Sequence, residues 1–301
     1  MRERDSIASA LRESGIPFLL EEPLSQHTTF KIGGAAAVLC TPQSMLQLEQ
    51  ALAVCRARNA RVYLLGKGSN ILFADEGYDG VVLHLSEALG EIAVEDNILT
   101  AMAGATLAKV CLVAAEHGLA GMEFAYGIPG SVGGAVYMNA GAYGGEIKDV
   151  LQSAAFYDEA GMLHTLSAQE LLLGYRTSIF EKKAWCIQSA AFRLKPGDAV
   201  EIHALMQDYA RRRAEKQPLD MPSAGSTFKR PAGAFAGALI DRCGLRGHAV
   251  GGAAISNKHC GFVVNTGGGT CRDVLALTDE VCEIVGRETG YVLEKEVRVV
   301  R

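Results

Sequence analysis

Residues 121–147 read GMEFAYGIPGSVGGAVYMNAGAYGGEI, a run of small residues broken by a few aromatics and one proline. No ordinary helix or strand is written this way. Glycine loses more backbone entropy on folding than any other residue, so an ordered stretch this rich in it is costly unless the backbone takes positive φ values or lies close against something. The stretch reads as a set of turns laid flat against a ligand. Flexible linkers are seldom loaded with residues such as Phe124, Tyr126, Val132, Val136, Tyr137 and Met138, which argues for order. The GIPG at 127–130 supplies a rigid turn. Gly133 and Gly134, followed by AVYMNAG, let a short helix or strand begin with its N–H groups free, which makes an anion site, most often for phosphate.

A second glycine turn precedes it. Residues 36–40 read as a strand, 42–59 as a helix with Met45, Leu48, Leu52 and Cys55 on one face, and 61–65 as a strand running into GKGSNIL at 66–72. Strand, helix and strand delivering a glycine-rich turn is a simple α/β ligand-binding arrangement. GxGSN lacks the full dinucleotide fingerprint and the P-loop lysine–hydroxyl pair, so alone it reads equally well as a tight turn. The two loops together bracket a compact α/β unit. A cofactor with a diphosphate and two ring systems needs that many backbone contacts.

The rest of the chain reads as alternating short elements. Helices are expected at 7–13, 106–117, 200–213, 236–243 and 270–287, with a helix-like piece in AQELLL at 168–173. Strands are expected at 27–34 entering a turn, 80–85, 92–103 as a pair, 150–157, 163–166, 187–194, 261–264 and 292–300. Arg211, Arg212 and Arg213 end the 200–213 helix, where they either favour its dipole or meet a phosphate, with Lys216 close by. Ser226 stands in a small-residue turn, SAGSTFKRP, that is not the GxSxG elbow of a hydrolase.

At 301 residues the chain has room for two or three domains, and 49% hydrophobic with 21% charged residues is ordinary for a globular protein. A net charge of −5 argues against a general nucleic-acid binder. No stretch approaches the apolar length of a membrane span, and MRERDSIASALRESG lacks the continuous apolar run of a signal peptide, so the expected location is the cytoplasm. The 8 cysteines include no CxxC pair and read as buried free thiols; His259–Cys260 is the one adjacent pair with ligand chemistry, and no metal is expected.

Four stretches, taken in order, resemble one family, the UDP-N-acetylenolpyruvoylglucosamine reductases (MurB) of bacterial peptidoglycan synthesis. They are 27–34 with 66–70; 121–147; Tyr175 and Arg176 with Ser178; and 223–228 followed by 237–247, the H-x-x-F-x-V-N segment at 259–265, and 293–297. The resemblance covers nearly the whole chain. It implies an α+β protein with the FAD-binding fold of the vanillyl-alcohol oxidase and p-cresol methylhydroxylase type in two subdomains, 1–80 with the closing 291–301 and 81–200, plus a C-terminal α+β substrate domain at 201–290. Non-covalent FAD is implied at Gly66, Lys67, Gly68, Ser69 and Asn70 and at Gly127, Ile128, Pro129, Gly130, Ser131, Gly134, Asn139, Gly141 and Ala142.

The reaction implied is that of a UDP-N-acetylmuramate dehydrogenase: NADPH reduces the flavin, whose N5 then passes hydride to the terminal vinyl carbon of UDP-N-acetylglucosamine enolpyruvate. The charge pushed onto the adjacent carboxylate needs fixed donors and cations. By position in the motifs, Arg176 and Glu296 match the residues that stabilise it, and Ser226 matches the proton donor. A serine serves as an acid only when aimed at a carbanion-like centre. Lys216 and Lys229 match substrate-binding residues and Tyr175 an aromatic beside the centre. The segment between Arg176 and Ser226 leaves no room for the tyrosine-bearing loop of one subclass, so the chain resembles the shorter, second subclass and is expected to be a monomer. Lys67 stands where the family has glycine, Cys260 and Gly261 where alanine and asparagine are commoner, and Arg230 where asparagine is common. Lys67 either touches the cofactor phosphate or faces water. A sugar or alcohol oxidase of the same flavin fold would share both glycine loops but has no evident use for Arg176, Ser226 and Glu296. A non-enzymatic nucleotide-binding protein could lose all three.

Overall fold

The computed structural model describes residues 3–301, and the chain divides into two compact units. The first comprises residues up to 19, 38–67 and 80–213; the second comprises 20–37, 68–79 and 214–301.

The first unit is built on a five-stranded antiparallel sheet in the order Leu163–Ser167, Leu151–Tyr157, Cys186–Arg193, Ile98–Met102, Ile92–Glu95. Alternation sorts its faces: Leu99 and Ala101 are buried while Ile98, Thr100 and Met102 are half-exposed. Register lines up Ala101 with Ala190 and Ala190 with Ala154, a row of small buried side chains. The short helix Val132–Met138 packs on this sheet, with Gly133 so close that an added Cβ would stand 3.0 Å from the Cβ of Ala103. Small residues on both sides thus fix where the glycine run begins.

Helix Leu107–Glu116 is capped by Thr106, whose hydroxyl accepts from the N–H of Lys109, and Met45–Ala57 by Ser44, which accepts from Gln47. Helix Glu3–Glu13 buries Ile7 and Leu11 and packs against Met45–Ala57. Val62–Leu65 pairs in parallel with Tyr78–His84 within a four-stranded sheet ordered Phe18–Pro23, Ala35–Cys40, Tyr78–His84, Val62–Leu65.

The second unit carries the four-stranded antiparallel sheet Ser223–Ser226, Phe262–Asn265, Ala253–Ile255, Ala249–Val250. Helix Cys271–Thr289 packs on it, burying Val274, Leu277, Val281 and Val285 at helical spacing. Its start is doubly fixed. Thr270 and Asp273 form a capping box, and the Asp75 carboxylate accepts from the N–H groups of Cys271 (2.7 Å) and Arg272 (3.0 Å). Gly290, at φ +75°, ends it in the left-handed conformation that glycine adopts without strain.

Several elements differ from the sequence reading. Residues 27–34 form no strand: Phe30 and Ile32 are buried in the core of the second unit, Lys31 between them takes φ +58°, and the Thr28 hydroxyl donates to the carbonyl of Ile32. The nearby strand is Phe18–Pro23. Residues 168–173 are turns, because Leu171 is buried while Leu172 turns outward at φ +50°. The helix expected at 200–213 runs Ala199–Lys216, and the closing strand contracts to Arg298–Val300, paired in parallel with Ile71–Phe73. The cysteines are all free and six are buried; burial pushes the Cys40 thiol up to about 12 and Cys55 up to about 11. No helix among the described residues is long and apolar enough to cross a membrane.

Replacing Thr270 with alanine removes the capping acceptor of the longest helix in the second unit. The expected loss is about 1 kcal/mol, read as a lower urea midpoint at unchanged m-value.

Candidate active site

In the first unit the glycine run and Arg176 come together. The N–H groups of Val132 and Gly133 are not free: they donate to the carbonyls of Ala105 and Ala103, each at 2.9 Å. Two of the donors expected at the start of this seven-residue helix are therefore spent on seating it against the neighbouring loop. Asn139 ends the helix at φ +44° and is fully buried. Its amide nitrogen donates to Glu146 Oε2 (2.5 Å) and the Gly174 carbonyl (2.9 Å), and its Oδ1 accepts from the N–H of Lys148 (2.9 Å). The Asn139 side chain thus works inside the protein, tying the helix end to the 174 turn.

Ser178 adds a second tie, donating to the Tyr137 carbonyl at 2.7 Å. Between the ties, Gly174 bridges Thr177, and Arg176 takes φ +57°. Its guanidinium donates to the Gly141 carbonyl (3.3 Å) and lies 5.3 Å from the centre of the Tyr175 ring, which is 53% exposed.

The glycines fall into two kinds. An added Cβ at Gly66 would stand 2.4 Å from Ser131 Oγ, so the two glycine loops touch there. At Gly141 it would stand 2.7 Å from the Gly145 carbonyl. At Gly130 the nearest atoms would be Leu107 Cδ1 at 3.5 Å and Ile128 Cγ2 at 3.8 Å, and at Gly134 only Ser131 Oγ at 3.6 Å, all ordinary contacts. The protein itself does not require glycine at these two positions; they leave a cradle that a methyl group would fill, which fits a ligand pressed close to the backbone. Lys67 beside Gly66 pairs with exposed Glu87 at 2.8 Å, and that contact holds the Glu87 carboxyl below its usual range.

Of the three arginines near the end of helix Ala199–Lys216, Arg213 stands apart. Arg211 and Arg212 pair with Asp208 at the surface, but Arg213 is buried, with its Cδ and Nε 3.4 Å from where a Cβ on Gly127 would lie. Its guanidinium sits 5.9 Å over Tyr143, which stacks on Tyr209 at 4.5 Å, and burial lowers its pKa while Tyr143 opposes the shift. The signal was present in the spacing, since Ile202, Met206, Tyr209 and Arg213 share one helical stripe.

The second unit brings Ser226 and Glu296 together. Gly68 takes φ +61° against the His27 carbonyl, and Thr29 ties that turn to the Ser226 strand: its N–H donates to Gly68 (3.2 Å) and its hydroxyl to the Ser223 carbonyl (2.7 Å). The strand is bulged, since Ser223 faces Val264 and Ser226 faces Phe262, and Gly225 takes φ +76°. Beyond it, the N–H of Glu296 donates to the Thr227 carbonyl (2.7 Å), Phe228 bridges Lys295, and the N–H of Lys229 donates to the Glu294 carbonyl (2.8 Å). Asn70 closes the group, donating from Nδ2 to the Glu296 carbonyl at 3.3 Å and accepting from the N–H of Arg298 at 3.0 Å.

The Ser226 hydroxyl donates to the Phe228 carbonyl at 3.2 Å. Lys229 pairs with exposed Glu294 at 3.1 Å, and Lys216 is exposed at its helix end. His259 accepts from the N–H of Gly261 through Nδ1 at 3.1 Å and meets Phe262 edge-on, while the Cys260 thiol faces Asp241, so the two side chains do not converge as ligands.

A model of the FAD binding domain matches residues 36–167, and one of the C-terminal domain of UDP-N-acetylenolpyruvoylglucosamine reductase matches residues 217–300. A xylooligosaccharide oxidase from Myceliophthora thermophila, 17% identical, aligns over 64% of this chain and 43% of its own with a TM-score of 0.50, a likeness of fold alone. The architecture is thus the α+β, FAD-binding fold of the vanillyl-alcohol oxidase and p-cresol methylhydroxylase type, followed by an α+β C-terminal part.

The UDP-N-acetylenolpyruvoylglucosamine reductase of Agathobacter rectalis is 48% identical, covering 98% of this chain and 97% of the relative. That of Caldanaerobacter subterraneus subsp. tengcongensis is 44% identical over the same shares, 98% and 97%. The crystal structure of the reductase from Thermus caldophilus superposes with a TM-score of 0.80 at 35% identity, over 95% of this chain and 99% of that one. The chain belongs to the UDP-N-acetylenolpyruvoylglucosamine reductase family, and its class is that of the oxidoreductases.

Gly134→Ala separates the two kinds of glycine. The apoprotein should keep its stability or gain up to about 1 kcal/mol, because alanine is the better helix former, while FAD affinity measured by fluorescence titration should fall.

Proposed function

We propose that this chain is a UDP-N-acetylmuramate dehydrogenase, reducing UDP-N-acetylglucosamine enolpyruvate to UDP-N-acetylmuramate with NADPH as hydride donor. The observation that carries the reading is the hydrogen bond from the N–H of Glu296 to the Thr227 carbonyl, which sets the backbone of the candidate stabilising glutamate against the residue that follows Ser226, the candidate proton donor 70 residues earlier in the chain. Nucleotide-binding loops alone would give no reason for that pairing.

When bound, FAD supplies the redox chemistry, accepting hydride from NADPH and delivering it from N5 to the terminal vinyl carbon. Gly66, Lys67, Gly68, Ser69 and Asn70 would help to hold it. So would Gly127, Ile128, Pro129, Gly130, Ser131, Gly134, Gly141 and Ala142, with Asn139 acting through the loop it anchors. Hydride addition at one carbon leaves the electron pair delocalised into the substrate carboxylate as an enediolate. The Arg176 guanidinium and the Glu296 side chain would hold that charge. Ser226 would give its proton to the carbon bearing the ether oxygen and recover one from solvent, so hydride and proton together saturate the double bond. For this the hydroxyl leaves its 3.2 Å bond to Phe228, a long bond that is weakly held.

Tyr175, Lys216 and Lys229 are proposed as substrate contacts, with Lys229 exchanging Glu294 for substrate. The reading carries with it subdomains at 1–80 with 291–301 and at 81–200, a substrate domain at 201–290, and a monomer working in the cytoplasm without nucleic acid or metal.

Stopped-flow spectroscopy tests the proposal. NADPH should bleach the yellow protein and the enolpyruvyl sugar nucleotide, rather than oxygen, should restore the colour. In Ser226→Ala, bleaching should proceed at the normal rate while substrate-driven recovery slows by roughly 10²–10⁴-fold, the usual worth of a general acid. Unimpaired turnover of that variant removes the serine from its role.

A further inference from the structure

Resting on that reading, we propose that Thr227 is the positioning residue that fixes Ser226 and Glu296 relative to each other. Thr227 is 0% exposed, and its N–H and hydroxyl oxygen engage one segment, at Gly261 and Val263, while its carbonyl engages another, at Glu296. Its N–H donates to the Gly261 carbonyl at 2.8 Å. Its carbonyl accepts from the N–H of Glu296 at 2.7 Å. Its Oγ1 accepts from the N–H of Val263 at 3.0 Å.

The third bond follows from the bulge. Between Ser223 and Ser226 the strand carries one more residue than the facing stretch of Phe262–Asn265, so the regular ladder does not run through. The N–H of Val263 then takes the threonine hydroxyl as its partner in a fully buried position. A bulge re-aims the side chain beside it, and here that side chain is Ser226. Without the hydroxyl the bulged strand has only backbone bonds to hold its pitch against Phe262–Asn265. The bond from Glu296 ends on the carbonyl of the same residue, so a shift of Thr227 moves the serine and the glutamate backbone together. Displacements well under an ångström at such a pair are large on the scale of proton transfer.

The test compares Thr227→Val, which keeps the shape and loses the acceptor, with Thr227→Ser, which keeps the acceptor. On the FAD-loaded protein, flavin reduction by NADPH should stay within about twofold of wild type in both. Reoxidation by the enolpyruvyl sugar nucleotide should slow by roughly 10–100-fold in the valine variant, with an enlarged solvent isotope effect, and should recover to within about threefold in the serine variant. Amide hydrogen exchange at Val263 and Glu296 should speed up in the valine variant alone. Equal slowing of both half-reactions, equal defects in both variants, or normal reoxidation of Thr227→Val would each overturn the proposal. If wild type itself is not reoxidised by that substrate, the functional reading fails. The positioning role is then decided by exchange, and unchanged protection of Glu296 in Thr227→Val sinks it.

Discussion

Everything chemically distinctive about the second unit depends on a short antiparallel ladder between residues 227–229 and 294–296. Its bonds, from Glu296 to Thr227 and from Lys229 to Glu294, are backbone bonds, so they carry no signature that a residue-by-residue reading could detect. They nevertheless convert a separation of about seventy positions into adjacency. The ladder stays short because each segment has a second obligation. Residues 223–226 belong to the sheet with Phe262–Asn265, and Arg298–Val300 leaves to pair with Ile71–Phe73. Asn265 steadies the same sheet from its far end, with Oδ1 accepting from Gly267 and Gly269 and Nδ2 donating to the carbonyls of Phe30 and Lys31. The last residue of the H-x-x-F-x-V-N segment is thus an anchor for turns.

The glycine loops show why glycine content alone is an ambiguous signal. Gly68 is needed by the fold, since a Cβ there would lie 2.3 Å from a backbone oxygen and φ is positive. Gly130 and Gly134 meet no such obstacle. Residues that the protein could replace without a clash, placed beside residues that it could not, fit a backbone bared for the proposed ligand. Asn139 and Asn70 both stand in expected cofactor loops, and their side-chain nitrogens donate to protein carbonyls and a carboxylate.

Long amphipathic elements with local caps were legible in the sequence. Met45–Ala57 and Cys271–Thr289 carry both their apolar stripe and their capping side chain within one window. What was not legible depended on partners outside the window. Residues 27–34 alternate like a strand, but Phe30 and Ile32 are held by a core made of distant segments. The 292–300 stretch looks extended throughout, yet only Arg298–Val300 finds a full partner. Arg176, Ser226 and Glu296 were named through motif resemblance alone. Arg213 was grouped with Arg211 and Arg212, although its place on the Ile202–Met206–Tyr209 stripe already set it apart from them.

Arg176 illustrates how the first unit meets the cost of a functional conformation. A non-glycine residue at φ +57° carries strain of about 1–3 kcal/mol. Two side-chain bonds flank it, Asn139 to the Gly174 carbonyl at 2.9 Å and Ser178 to the Tyr137 carbonyl at 2.7 Å, and a further bridge joins Gly174 to Thr177. Net contributions of about 1 kcal/mol per bond offset strain of that size. Both ties start or end on the segment 137–139, where the short helix finishes, so the turn bearing Arg176 and the glycine run move as one body. The arginine therefore meets the Gly141 carbonyl already oriented, with its guanidinium held by the same loop that bares its backbone at Gly130 and Gly134. Orientation is fixed at folding, which in the proposed role would leave less conformational freedom to lose as charge develops on the substrate.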